Sequence, residues 1–169
     1  LWSTSAILDE KYHKLIVDTH LAYIESGAEV ITTNTFSSRR IRMDQNKVSR
    51  YFEYANKKAC ELAIQAKQNS KKEVFIAGSI PAQFDTYKED TRDDEIISSA
   101  FFDQITCISD YVDFLYLDVI SSGREIDLAT KIIEKLDKPI LLGIHLTKNG
   151  CLPSGLSLIH ISEPTRPTP

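Results

Sequence analysis

Four short runs of apolar and β-branched residues, each separated from the next by a stretch of helical periodicity, constrain this chain more than any other feature. The runs cover residues 28–33, 73–79, 113–118 and 139–144. Their length and β-branched content fit buried strands. Between them, Val48, Phe52, Ala55, Ala59, Leu62 and Ala66 repeat at spacings of three and four, which predicts a helix over about 47–68. Further helices are expected over about 7–26, 93–111 and 123–136. Gly27 stands where a helix end asks for a left-handed residue. Asp93, Asp94 and Glu95 suit the positive end of a helix dipole.

Strands alternating with helices imply parallel pairing through right-handed crossovers. Near-continuous apolar strands fit a sheet covered on both faces. Two architectures satisfy this, a TIM barrel and a doubly wound open sheet. No glycine-rich phosphate loop follows any strand, which argues against a dinucleotide-binding sheet. Polar residues recur instead at the strand ends: Asn34 and Thr35, Ser79, Asp118 and His145. In a barrel those ends form the active-site face. A complete barrel takes about 250 residues and eight strands. Four strands in 169 residues make at most about half of one.

Charge and composition remove several function classes. A net charge of -4 gives no general attraction for phosphate backbones, so no nucleic-acid partner is expected. The basic stretch Arg39, Arg40, Arg42, Lys47 and Arg50 carries Asp44 in its middle and reads as a solvated loop and helix start. No apolar run of about 18 residues occurs, so no membrane partner is expected. The three cysteines, Cys60, Cys107 and Cys151, are scattered and odd in number, which fits free thiols in a reducing compartment. A cytoplasmic location is the expectation. The last 14 residues, 156–169, end with three prolines in six positions and are read as a non-native or disordered tail, leaving 1–155 as one domain.

Several stretches, taken in order, resemble the homocysteine-binding domain of the homocysteine S-methyltransferase family. The run from His20 through Gly27, Ala28, Thr32, Thr33, Asn34 and Thr35 to Phe36 is similar to the family's helix–strand signature almost position by position. Weaker likenesses lie at Leu1-Trp2-Ser3, at Ala77-Gly78-Ser79-Ile80, at 112–118 and at 150–155. The resemblance implies an α/β fold, a partial TIM barrel of parallel strands whose first strand and C-terminal strands fall outside the chain. It implies methyl transfer from a donor such as S-methylmethionine or S-adenosylmethionine to the thiolate of homocysteine, giving methionine. It also implies a Zn2+ cofactor held by three cysteine thiolates; zinc binding deprotonates a thiol that is otherwise mostly protonated at neutral pH. Those ligands are expected in the later strands, so no metal ligand is expected within this chain, and the fragment alone is expected to be inactive. Homocysteine and the donor are the expected partners.

The same resemblance assigns Asn34, Thr35, Ser79 and Asp118 to substrate binding. Asn34 and Thr35 would hydrogen-bond the amino-acid part of homocysteine, or else close a turn on their own backbone. Asp118 stands where the family usually has glutamate and would pair with the substrate ammonium. Tyr87 would replace a family aromatic. Phe101 takes a position where a histidine is frequent, and reads as an apolar helix face. His145 and His20 read as structural histidines, His20 near the barrel base. Cys151 lies in a loop on the correct face, but one thiolate cannot make a three-ligand site. Two rival readings remain: a non-catalytic divergent homologue, and an unrelated TIM-barrel lyase, which would need a lysine at a strand end.

Overall fold

The computed structural model describes residues 1–157; most of the expected tail, from 158 on, lies outside the described residues. The elements run α1 (Ser3–Ile7), α2 (His13–Glu25), β1 (Val30–Thr32), α3 (Arg40–Gln45), α4 (Phe52–Ser70), β2 (Phe75–Pro81), α5 (Asp94–Ile108), β3 (Phe114–Ile120), α6 (Gly123–Ile133) and β4 (Ile140–Ile144). The four strands form one parallel sheet in sequence order, β1-β2-β3-β4. Sequential order together with helices on one face separates the two architectures left open by the sequence. Ile76, Ile80, Leu115, Leu117 and Ile120 point into a core with Phe101, Ile105 and Ile108 of α5 and Ala129 and Ile133 of α6. On the other face Val30, Phe75 and Leu141 stay exposed. A doubly wound sheet would cover both faces; a barrel wall is covered by helices on its outer face alone. A second cluster, including Ile7, Ile16, Val17, Met43, Phe52 and Leu62, packs α1 to α4 together behind β1.

Three local features explain where the elements differ from the sequence reading. The expected first helix is interrupted because Asp9 accepts a hydrogen bond from the Lys11 amide at 3.3 Å and caps a 3-10 turn at Glu10–Tyr12. The strands β2 and β3 run two residues past their expected ends, so Ile80, Pro81, Val119 and Ile120 belong to the sheet. The basic stretch is not solvated throughout. Arg39 is buried, and Arg40 pairs with Asp103 of α5 at 2.8 Å, because α3 folds back between β1 and α4. Gly27 does take a positive φ of 104°, and the Ala28 amide donates to the Tyr23 carbonyl across it at 3.0 Å. No helix among the described residues is long and apolar enough to cross a membrane.

Two buried positions set the fit between sheet and helices. A Cβ on Gly78 would lie 2.9 Å from Ile108 Cδ1 and 3.1 Å from Val112 Cγ2, so α5 can settle on β2 only where a side chain is missing. At the start of α6, Ser122 and Glu125 make a reciprocal cap. The Ser122 hydroxyl donates to Glu125 Oε2 at 2.7 Å and accepts the Glu125 amide at 3.2 Å. Glu125 is fully buried, and its Oε1 has no protein partner. Burial pushes its carboxyl up to about 7, reinforced by Asp90 and Glu89 and opposed by the Ser122 hydroxyl and the Asp90 amide.

Two outcomes follow for stability. Gly78→Val is expected to cost on the order of 1–3 kcal/mol by overpacking, read as a lower urea midpoint. For Glu125, the unfolded chain releases its proton near 4.5 and the folded chain near 7. The folded state therefore holds the extra proton between those values, and stability falls as pH rises through that window, by on the order of 3 kcal/mol. Glu125→Gln keeps the cap geometry, and its unfolding free energy is expected to lose most of this decline between pH 5 and 8. Parallel pH profiles for the two proteins would show that Glu125 carries no such proton.

Candidate functional site

At the C-terminal ends of β1, β2 and β3 a buried line of hydroxyl groups crosses the sheet. The Thr35 hydroxyl donates to the Ser79 carbonyl at 2.6 Å. Its single proton is thereby used, so in the 2.9 Å contact with Thr33 it is the Thr33 hydroxyl that donates. Thr33 in turn accepts the Ser79 amide at 3.1 Å. The Ser79 hydroxyl then donates to Asp118 Oδ2 at 2.9 Å. Parallel register makes this line continuous, since Ser79 pairs with Tyr116 and Pro81 with Asp118. Thr35, Ser79 and Asp118 are thus brought together, with the first two largely occupied by each other and the carboxylate left at the open end.

Asp118 projects on the inner face of the sheet, opposite the helices. It is half-buried and has no cationic partner among the described residues. Burial pushes its carboxyl above the usual carboxylate range, while hydrogen bonds from Ser79 and Tyr116 pull it back. Tyr116 shares this inner face, two residues before Asp118, and its own phenol is pushed up by burial and by the Asp118 charge. The phenol lies across Gly143 of β4, where an added Cβ would come within 2.6 Å of its oxygen. The sequence reading missed Tyr116; its two-residue spacing from Asp118 was the available signal.

The backbone beyond Asp118 is strained. Val119 has φ 58°, a left-handed conformation that a β-branched residue rarely adopts, at a cost of about 1–3 kcal/mol. It marks a bulge where the β3–β4 register shifts between Leu117 and Ile120. The extra residue lets both Leu117 and Ile120 face the helical core, although three positions separate them, and leaves Asp118 on the inner face.

Asn34 turns elsewhere. Its Oδ1 accepts a hydrogen bond from His20 Nε2 at 2.9 Å, on the open edge of β1 beside Tyr23, Val30 and Thr32. His20 is buried, and burial lowers its pKa despite the Asn34 bond. It is a partnered structural histidine, but it stands level with the strand's end and not at the barrel base. The reason is that α2 runs antiparallel to β1. His145, just past β4, meets Tyr87 edge to face with ring centroids 4.6 Å apart. Phe101 is fully buried in the outer core. Behind Thr35, the Gln104 side chain donates to the Thr35 carbonyl at 2.9 Å and to Asn56 at 3.0 Å, and accepts from Gln83 at 2.9 Å.

The thiols do not converge. Cys60 is buried in α4, where burial pushes its thiol up to about 12; Cys107 lies in α5; Cys151 lies in the loop after β4. Among the described residues no group of three His, Cys, Asp or Glu could hold a metal ion. The described residues therefore do not assemble a zinc centre, and the charged group that this face presents at the strand ends is the Asp118 carboxylate.

Comparison with known proteins agrees with this architecture. Residues 1–164 match the family model described as homocysteine S-methyltransferase. The S-methylmethionine–homocysteine S-methyltransferase BHMT2 of Rattus norvegicus is 25% identical over 153 residues, which are 89% of this chain and 39% of that protein. The metallated and oxidised crystal forms of the homocysteine methyltransferase MmuM from Escherichia coli each superpose with a TM-score of 0.83 at 18% identity, covering 95% of this chain and 60% of that one. The chain thus spans less than two thirds of the relatives it matches. Its sheet is a partial TIM barrel.

Proposed function

We propose, for a chain that belongs to the homocysteine S-methyltransferase family, that it forms part of the substrate-binding wall of an enzyme that methylates homocysteine. The observation that carries this reading is the half-buried Asp118 carboxylate, aimed by Ser79 at 2.9 Å and without a cation among the described residues. A carboxylate in that state gains most from a partner that brings both charge and hydrogen-bond donors. The α-ammonium of an amino acid is such a partner. Ser79 and Tyr116 each donate to the carboxylate, and its remaining lone pairs are the seat for the ammonium. Tyr116 borders the same space and restricts its width. Thr35 acts through Ser79, whose carbonyl it anchors, and Asn34 lines the neighbouring edge of β1.

In the whole protein the methyl donor would be S-methylmethionine, S-adenosylmethionine or a similar activated methyl compound. Holding donor and thiolate in line supplies much of the acceleration such a displacement needs. A zinc ion bound by the protein would lower the thiol pKa of homocysteine; no ligand set for it occurs among the described residues. Membership of this family removes the unrelated lyase. The non-catalytic homologue is a separate outcome, in which homocysteine binds and no methyl group moves.

The test is homocysteine binding and homocysteine-dependent methyl transfer by the protein that carries this sequence. Asp118→Asn is expected to weaken homocysteine binding on the order of 10- to 100-fold, as loss of a charge-assisted bond requires. The pH dependence has a defined sign. Lowering pH through the raised Asp118 pKa neutralises the carboxyl, so affinity in the native protein falls as acid is added, and Asp118→Asn lacks that fall. An Asp118→Asn protein that binds homocysteine within twofold of the native one overturns the assignment.

A further inference from the structure

A cavity opens between the N-terminal segment, α3 and the segments that follow β1 and β2. It encloses about 160 Å³ and is lined by Trp2, Phe36, Arg39, Arg42, Asn46 and Thr86 among others. By volume it takes about five waters. Its two flat side chains, Trp2 and Phe36, lie nearly parallel, with planes inclined by 8° and centroids 6.4 Å apart. Its two charged side chains are both guanidinium groups.

Arg39 is the unusual one. It is 1% exposed. One terminal nitrogen donates to the Ala82 carbonyl at 2.8 Å and the other to the Thr86 hydroxyl at 3.2 Å. Its Nε is buried with no protein partner. Its guanidinium sits 5.6 Å from the Phe36 ring centroid. No carboxylate pairs with it among the described residues. Asp85 is nearby, but its carboxylate is taken by Lys88 at 2.8 Å and by the Thr86 amide at 2.9 Å. Arg42 contributes a second cation, with no ion-pair partner among the described residues. Burial first, and then the Arg42 charge, push the Arg39 pKa down to about 10, against the weaker pull of the Asp85 and Glu125 carboxylates.

A buried, unpaired cation beside a like charge is an expensive arrangement. A small anion removes that cost, and the guanidinium fork matches the two oxygens of a carboxylate. We propose that this cavity is a binding site for a small flat carboxylic acid, its carboxylate held by Arg39 and Arg42 and its body against Phe36 and Trp2. The two arginines also set a specificity rule, since a purely cationic ligand is repelled there. This site stands independently of methyl transfer and of Asp118.

Trp2 is the only tryptophan in the 169-residue chain, so its fluorescence reports on this cavity directly. Benzoate and its uncharged isostere benzamide are the probes. Benzoate is expected to change Trp2 emission saturably, and benzamide at least tenfold more weakly. Inorganic phosphate displacing benzoate would show that the oxyanion seat binds without the ring, while phosphate failing to displace it would show that the flat body is needed; both agree with an anion site. Arg42→Gln, at a half-buried position, is expected to weaken benzoate about tenfold and to reduce the effect of added salt. Asp118→Asn is expected to leave benzoate binding unchanged. Equal binding of benzoate and benzamide, or an Arg42→Gln protein that binds benzoate within twofold of the native one, overturns the proposal.

Discussion

The hydroxyl line from Thr33 and Thr35 through Ser79 to Asp118 is the interaction on which the geometry of this face depends. Hydrogen bonds from threonine to backbone are worth about 1 kcal/mol each in net stability. Their larger effect is directional. Each hydroxyl has one proton, so once Thr35 donates to the Ser79 carbonyl the direction of the neighbouring bond follows. The two threonines hold the Ser79 backbone through its carbonyl and amide, and its hydroxyl donates to Asp118. A strand pair that slipped by one residue would turn Ser79 toward the helices and break the line at its centre.

The inner face pays for what the outer face gains. Helices α4 to α6 bury the middle of one side of the sheet, and the bulge at Val119 keeps both Leu117 and Ile120 on that side. The strain at Val119 is tolerated because two large side chains are fully buried as a result. The same bulge fixes Asp118 on the opposite side, next to Tyr116 and Ser79. A single irregularity in β3 thus links core packing to the placement of a strand-end carboxylate that has no cationic partner among the described residues.

Much of this was legible in the sequence, because both periodicities are strong. The alternation of strands and helices, the glycine at the end of α2 and the acidic start of α5 all appear where local chemistry places them. Strand ends were less legible. Pro81 and Asp118 both argue locally against a strand, yet sheet register carries β2 and β3 through them. Asp9 broke a helix because a cap outweighed apolar spacing. Arg39 was misread for a different reason. In a run of basic residues nothing local separates the solvated ones from the buried one, and burial of Arg39 is decided by the Ala82 carbonyl, 43 positions away. At the site, Asp118 and Ser79 were visible as polar strand ends. Tyr116 was hidden among apolar neighbours until pairing put it on the inner face.

The strand-end face keeps its opposite charges apart. Among the described residues, Arg39 and Arg42 have no carboxylate ion-pair partner, and Asp118 on β3 has no cation. A protein selected for stability alone would lose little by replacing such groups with apolar side chains. The two charges are held by different anchors. Arg39 is fixed to the Ala82 carbonyl just past β2, and Asp118 to the Ser79 hydroxyl on its inner side. The same strand therefore anchors one charge from each direction and keeps them from meeting. Unpaired charges held apart by a rigid sheet are poised to be completed by something else, a cation at β3 and an anion at Arg39 and Arg42.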